Sequence, residues 1–322
     1  MARKKIIVVG ILIFTAFAVL VGSLTLKKEG AGVSTSKNQV GVIFIEGPIV
    51  DSGGQSLFGG VSDSRQIMRQ IRTAAEDPVV KAVVLRINSP GGTVPATQEI
   101  GRELERLKDA GKVLVASMGD VAASGGYWLA VKTDKIYANP GTITGSIGVI
   151  MSYQNIEELY RKLGIEPHVI KSGPQKDLGS PNREMTGEER QLLQEMVDQM
   201  FDSFVTVVAE GRDLPKDRVM ELATGRVWTG EQAKALALVD EMGNYYDAIN
   251  GAAKMAGMTG KPSVKYFGKK RPLDTIFGGG AKKAGIADEI SQWLEIIREI
   301  PSPNLLALPR DLHWGGVFDD RN

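Results

Sequence analysis

The chain contains no cysteine and only two histidines among its 322 residues. Without cysteine it can form no disulfide, no thiolate nucleophile and no cysteine-based metal site. Two histidines are too few for a multi-histidine centre, so we expect no metal. A Ser–His–Asp triad would have to use His168 or His313. His168 lies in the strand-like run Pro167–Lys171, and we interpret it as a half-buried strand residue.

Neither sign of charge is in excess in this sequence. Thirty-nine lysines and arginines face 38 aspartates and glutamates, which gives a formal net charge of +1. Proteins that bind nucleic acids usually carry a clear basic excess, because their affinity depends on contacts with phosphates. We therefore predict no nucleic-acid partner.

The N-terminus carries a long apolar segment. Ile6–Leu26 contains 21 residues without a charge, and Arg3, Lys4 and Lys5 precede it. At 1.5 Å per residue this length crosses a hydrocarbon core of about 30 Å, whereas the apolar part of a cleaved signal peptide is shorter. We predict that residues 1–26 are a short cytoplasmic tail and a single-pass transmembrane signal anchor. Residues 27–38 would be a linker, and the rest would lie on the extracytoplasmic side.

Strand-like and helix-like segments alternate through the first part of the remaining chain. The strand-like runs are Val40–Ile45, Ala82–Ile87, Val113–Ser117, Lys135–Ala138, Ile147–Met151 and His168–Lys171. The helical runs between them are Ser62–Glu76, Thr97–Ala110 and Asn155–Leu163. This alternation predicts an α/β fold of parallel βα units.

The pattern becomes mainly helical beyond residue 185. Capping boxes at Thr186–Glu189 and Thr229–Gln232 each predict the start of a helix. We assign residues 39–260 to one domain, with a helical C-terminal part. Residues 261–322 would form a C-terminal loop over Lys261–Gly285, a helix and a tail.

Two glycine-rich segments follow strand-like runs and could carry chemistry. In Asn88-Ser-Pro-Gly-Gly-Thr-Val94 the adjacent glycines allow the backbone to approach a ligand, and free amides at the start of a helix could bind an oxyanion. The alternative for this segment is a tight turn without a ligand.

In Gly119–Trp128 small residues surround Ser124, although Ala122 replaces the first glycine of a Gly-x-Ser-x-Gly elbow. The alternative for Ser124 is a residue that only packs a helix.

A third segment, Lys171–Ser180, offers two lysines. A serine hydroxyl becomes a good nucleophile when a base takes its proton, and where histidine is scarce a neutral lysine can be that base. The role requires a lysine pKa well below the usual value of about 10.4, which burial in an apolar site can produce. The residue types do not distinguish Lys176 from Lys171. The alternative is a solvated loop lysine paired with Asp177.

Taken together, these segments resemble the short, single-repeat form of the signal peptide peptidase A family. Thr144-Gly-Ser-Ile-Gly-Val149 and Lys176–Glu184 also resemble its motifs, and the resemblance runs from about Val40 to Ala253. It implies a Clp/crotonase-like fold and an endopeptidase that uses serine and lysine without a metal or another cofactor.

By position in these motifs, Ser124 corresponds to the family's nucleophile and Lys176 to its general base. Gly91 and Gly125 correspond to the residues whose amides form the oxyanion hole. Ser146 would orient the lysine amine.

The resemblance also implies a substrate and an assembly. The substrates would be cleaved signal peptides or other apolar peptides, so we expect an apolar groove beside Gly91–Val94, to which Tyr127 and Trp128 could contribute. The assembly would be a ring-like homo-oligomer at the membrane, with each site shared between subunits. Two alternatives remain: a membrane protease acting on stomatin-like proteins, and a non-catalytic membrane scaffold. A type I signal peptidase is disfavoured, because Gly125 and Gly126 follow Ser124 where that family has methionine two residues on.

Overall fold

A computed structural model describes residues 38–51 and 61–268. The chain divides into one unit that ends at Lys269 and a second from Lys270 to Asn322, which lies outside the described residues. The predicted transmembrane segment, Ile6–Leu26, also lies outside them. Within the described ranges, no helix has the length and apolar character needed to cross a membrane.

Ten strands and eight helices make up the described residues. The strands are β1 (Gln39–Glu46), β2 (Ile49–Val50), β3 (Ser62–Asp63), β4 (Val80–Ser89), β5 (Val113–Ala123), β6 (Lys135–Ala138), β7 (Ile143–Gly145), β8 (Val227–Thr229), β9 (Glu241–Met242) and β10 (Ser263–Phe267). The helices are α1 (Ser64–Glu76), α2 (Val94–Asp109), α3 (Gly125–Ala130), α4 (Glu157–Leu163), α5 (Gly187–Arg212), α6 (Lys216–Leu222), α7 (Gly230–Ala235) and α8 (Tyr245–Met255).

The main sheet confirms the predicted parallel α/β class. Its strands follow the order β10-β1-β4-β5-β6-β9, and every neighbouring pair on this path is parallel. The second half of β5 pairs with β7 instead of β6, and β8 adds to β7 in the antiparallel direction. The end of β5 is thus bordered by β4 on one side and by β7 on the other.

Both faces of the sheet are buried. In β1, Val40 and Val42 pack in a cluster with α8, whereas Ile43 and Ile45 belong to the larger cluster that includes α1, α2 and α5. Burial on two faces explains why the central strands are almost continuously apolar and do not alternate with polar residues.

The sequence assigned three segments incorrectly. The strand expected at Ile147–Met151 does not form; the strand of this region is β7, at Ile143–Gly145. Residues 168–171 form no strand, and the His168 side chain is 85% exposed, so the interpretation as a half-buried strand residue was wrong. Part of the predicted loop over Lys261–Gly285 is the edge strand β10, which pairs with β1. Short apolar runs do not reveal their pairing partners, which explains the first two differences. The third arose because the glycine and lysine content of Lys261–Gly285 outweighed the short strand at its start.

Candidate active site

Ser124 occupies a strained turn between β5 and α3. Its backbone angles are φ 52° and ψ −122°, in a region that residues with a side chain rarely adopt. Such a conformation costs about 1–3 kcal/mol and persists only where the surroundings impose it. Here the Ser124 amide donates a hydrogen bond of 2.8 Å to the carbonyl of Gly145 in β7. A sharp strand-to-helix turn of this kind presents a nucleophilic serine, and Ala122 does not prevent it.

The two glycine-rich segments meet at this turn. A Cβ on Gly91 would lie 2.7 Å from the Ser124 Cβ and 3.0 Å from its Oγ. A Cβ on Gly125 would lie 2.7 Å from the Oγ1 of Thr97, in the first turns of α2. The backbone of the loop after β4 therefore contacts the serine directly, and no side chain fits between them.

The hydrogen bonds of this loop bear on the predicted role of Gly91 in an oxyanion hole. Its amide donates 3.1 Å to the Oγ of Ser89, a fully buried side chain, and is not free to bind an oxyanion. Gly92 forms an isolated parallel bridge with Ile49. In this bridge the Ile49 amide donates to the Gly91 carbonyl, and the Thr93 amide donates to the Ile49 carbonyl. The amide of Gly92 points away from Ile49, because the N–H of a trans peptide is directed opposite to its C=O and the Gly91 carbonyl is bonded to the Ile49 amide.

The nitrogen of Gly92 lies close to Gly125, the residue that follows the serine. The ideal Cβ position of Gly125 is 3.3 Å from the Gly92 nitrogen. Gly125 is the first residue of α3, so its amide has no acceptor within the helix. Two neighbouring backbone donors beside a hydroxyl can stabilise the anion that forms when a carbonyl is attacked.

Ser146, the residue predicted to orient the lysine amine, borders the same groove as Ser124. It follows β7 with φ 51°, and its amide donates 2.8 Å to the carbonyl of Arg226. One residue before Gly145, the Thr144 hydroxyl donates 2.7 Å to the carbonyl of Ala122. These bonds attach the Ser146 turn to the residue before β8 and to the end of β5.

The groove in front of Ser124 has a volume of about 540 Å³. It runs between the start of α2, the residues after β7, and α5. Its apolar lining includes Val94, Trp128, Val149, Met200 and Phe204. Apolar side chains therefore line part of the groove expected beside Gly91–Val94, together with polar side chains such as Thr97, Gln98 and Ser203.

Tyr127 and Trp128 have different roles. Trp128 borders the groove, as the sequence suggested. Tyr127 is fully buried in the core, where its hydroxyl donates 3.0 Å to the carbonyl of Leu238. Burial raises the pKa of this hydroxyl well above its usual value, so it stays protonated.

Lys176 is placed away from these groups, on a segment of residues 151–185 that we call the arm. The arm connects the groove-lining residues after β7 to α5, and it contains α4. The Lys176 side chain is exposed and does not border the groove that contains Ser124. Of the predicted site residues, Ser124, Gly91, Gly125 and Ser146 are brought together, and Lys176 is not among them.

The structure separates the two candidate lysines. The Nζ of Lys171 donates 2.7 Å to the Oδ1 of Asp177 and 2.8 Å to the carbonyl of Pro174. The predicted alternative, a loop lysine paired with Asp177, is therefore realised by Lys171. No group of acidic or histidine side chains in residues 38–51 and 61–268 is arranged to hold a metal ion.

Comparison with known proteins gives one family. Residues 106–259, which include Ser124, Ser146 and Lys176, match the model of peptidase family S49. A putative protease of Synechocystis is 42% identical over 73% of this chain and 87% of its own length. A putative signal peptide peptidase SppA of Enterococcus faecium is 34% identical over 84% of this chain and 77% of its own. Protease 4 of Salmonella typhi is 40% identical over 79% of this chain, which spans only 41% of that longer protein.

Proposed function

The chain belongs to peptidase family S49 and is a serine protease, and from this premise we propose that it cleaves apolar peptides with a Ser124–Lys176 dyad. The observation that carries the proposal is the strained turn of Ser124, which faces two backbone amides and an apolar groove. We also propose that the sheet and its crossover helices form the Clp/crotonase-like fold.

The reaction would proceed through an acyl-enzyme. The Ser124 Oγ attacks the scissile carbonyl carbon while neutral Lys176 takes the hydroxyl proton. The amides of Gly92 and Gly125 donate hydrogen bonds to the resulting oxyanion, so the oxyanion role passes from Gly91 to Gly92. The tetrahedral intermediate collapses, and Lys176 gives its proton to the leaving amine. Water, deprotonated by the same lysine, then hydrolyses the ester, and Ser146 orients the lysine amine.

The position of Lys176 supports a site that is shared between subunits. The lysine lies on an arm whose apolar side chains include the fully exposed Ile170 and the largely exposed Leu159 and Leu163. Apolar side chains exposed together mark a surface that binds a partner. We propose that this partner is a second copy of the chain in a ring-like homo-oligomer. The arm would then bring Lys176 to the Ser124 of its neighbour, and the contact would bury the amine as a general base requires.

The apolar lining supports apolar peptides as substrates, and a relative is named for the cleavage of signal peptides. Residues 1–26 would anchor the enzyme in a membrane in a single pass, with the protease domain on the extracytoplasmic side. Such an anchor would place the groove close to cleaved signal peptides. Preferential cleavage of a stomatin-like membrane protein would favour the alternative substrate class.

The test combines labelling with subunit mixing. A fluorophosphonate probe should label the wild-type protein and should label neither Ser124→Ala nor Lys176→Ala at a comparable rate. Mixing the two inactive variants should restore part of the peptidase activity, because some interfaces then carry both intact residues. Full activity of Lys176→Ala would contradict the dyad. If confirmed subunit exchange restored no activity, the shared site would be wrong but the dyad would remain.

A further inference from the structure

Four charged side chains surround the turn that carries Lys176. Asp177, the next residue along the chain, accepts hydrogen bonds from Arg183 at 3.0 Å from Nε and 2.9 Å from Nη2, and from Lys171 at 2.7 Å. Arg183 also donates 2.8 Å from its Nη1 to the Oε2 of Glu189, and its Nη2 donates to Oε1 of the same carboxylate. We call Lys171, Asp177, Arg183 and Glu189 the clamp.

The clamp attaches the turn to the long helix α5. Glu189 lies in the first turn of α5, where it completes the capping box with Thr186. Its carboxylate accepts 2.9 Å from the Thr186 amide as well as the bonds from Arg183. Its side chain is only 5% exposed, so water competes little for these bonds. The guanidinium of Arg183 thus connects a fixed helix end to the residue beside Lys176.

The clamp also holds the turn from its other side. Besides Asp177, the Nζ of Lys171 contacts the carbonyl of Pro174, and the Lys176 amide donates 3.2 Å to the carbonyl of Gly173. The backbone is therefore fixed on both sides of Lys176. In the isolated chain the side chain of Lys176 itself is exposed.

The charges of the clamp persist at neutral pH. The hydrogen bonds from Arg183, and then those from Lys171, hold the pKa of Asp177 well below its usual range. Hydrogen bonds from Arg183 and from the Thr186 backbone lower the pKa of Glu189 to about 2. Both carboxylates are ionised, and bonds between a planar guanidinium and two carboxylates have a defined direction as well as strength.

We propose that the clamp, with Arg183 at its centre, is a positioning device that presents Lys176 to the nucleophilic serine. This inference rests on the proposed Ser124–Lys176 dyad. A general base has to reach hydrogen-bond distance, and a side chain on an exposed arm reaches it only if its backbone is fixed. Arg183 touches neither substrate nor reacting atoms, and it acts through Asp177.

The test is a double-mutant comparison with an activated peptide ester, whose good leaving group keeps low residual rates measurable. Arg183→Gln should lower kcat by about tenfold to a hundredfold, since a displacement near 1 Å can have an effect of this size. KM should change little, because the groove is untouched. In a Lys176→Ala background the same substitution should have no further effect, because the residue it positions is absent. Arg218→Gln, which removes an exposed ion pair with Glu221 on α6, is the matched control and should leave kcat unchanged.

Three further variants keep the comparison decisive. Asp177→Asn keeps the size of the side chain and removes its charge, and it replaces Arg183→Gln if thermal unfolding shows that the latter does not fold. Lys171→Arg should retain most activity because arginine preserves the ion pair, whereas Lys176→Arg should abolish activity because arginine does not release its proton.

The outcomes separate the two proposals. An unchanged kcat in Arg183→Gln would overturn the positioning role. So would an equal loss of kcat when Arg183→Gln is introduced into the wild-type protein and into Lys176→Ala. Retained activity in Lys176→Ala would instead overturn the dyad, whatever Arg183 does.

Discussion

Replacing Gly91 with alanine tests whether the close contact with Ser124 is essential for catalysis. The added methyl group would lie 2.7 Å from the Ser124 Cβ and 2.8 Å from the Gly125 nitrogen, whereas ordinary contacts begin at 3.4 Å. The serine or the loop must therefore move by about 0.7 Å. A misplacement of this order lowers kcat by about tenfold to a hundredfold, which corresponds to about 1.4–2.7 kcal/mol in the activation barrier.

The same substitution also lowers stability. Gly91 has φ 106°, where a side chain adds a backbone strain of about 1–3 kcal/mol. Gly111, in the turn after α2, is the matched control, since it also has a positive φ, of 75°, but its Cβ position contacts nothing within 4 Å. Gly111→Ala should lower Tm by about 2–4 °C per kcal/mol of strain and leave kcat unchanged.

Peptidase rates, fluorophosphonate labelling and thermal unfolding of the two variants give the measurement. We expect both to be destabilised and only Gly91→Ala to lose activity and labelling. If Gly91→Ala kept kcat within twofold of Gly111→Ala, the argument that this contact positions the serine would be refuted.

Three other predictions follow from the same structure. Ser89→Ala leaves the buried Gly91 amide without its acceptor and should lower the free energy of unfolding in urea by about 1–3 kcal/mol; an unchanged free energy of unfolding would show that this hydrogen bond does not stabilise the loop. Glu103, buried between α1 and α2, accepts two bonds from Arg72, which lower its pKa. Because the folded pKa is depressed, this stabilisation is present above the unfolded value of about 4.3 and is lost as pH falls through the folded pKa. Glu103→Gln should therefore destabilise at pH 7 more than at pH 3 in urea titrations, and an equal difference at both would count against it. If the proposed homo-oligomer forms through the arm, Ile170→Glu should dissociate it in light scattering without changing Tm at low concentration. Tyr246→Glu, also at an exposed position, should leave it intact; an intact Ile170→Glu oligomer would exclude the arm from the interface.

Much of the fold could be read from local patterns. The apolar run over Ala82–Ile87 and the helical spacing over Thr97–Ala110 identified the central βα unit, which the structure places at Val80–Ser89 and Val94–Asp109. The capping boxes at Thr186 and Thr229 marked the starts of two helices correctly. Such signals depend on neighbours within about one helical turn, so they survive whatever the rest of the chain does.

The tertiary structure alone decided the details of the site. The direction of the Gly92 amide depends on the pairing of Gly92 with Ile49, a residue more than forty positions earlier in the chain. Which lysine is held in an ion pair depends on Arg183 and Asp177, whose side chains meet only when the arm folds back on the start of α5.

The sequence by itself determined the chemistry that is available: no cysteine, two histidines, and a serine among small residues after an apolar strand. The strain at Ser124 and the direction of each amide came from contacts between distant segments. Periodicity specifies which face of an element is buried, but an individual hydrogen bond is fixed only when both partners are in place.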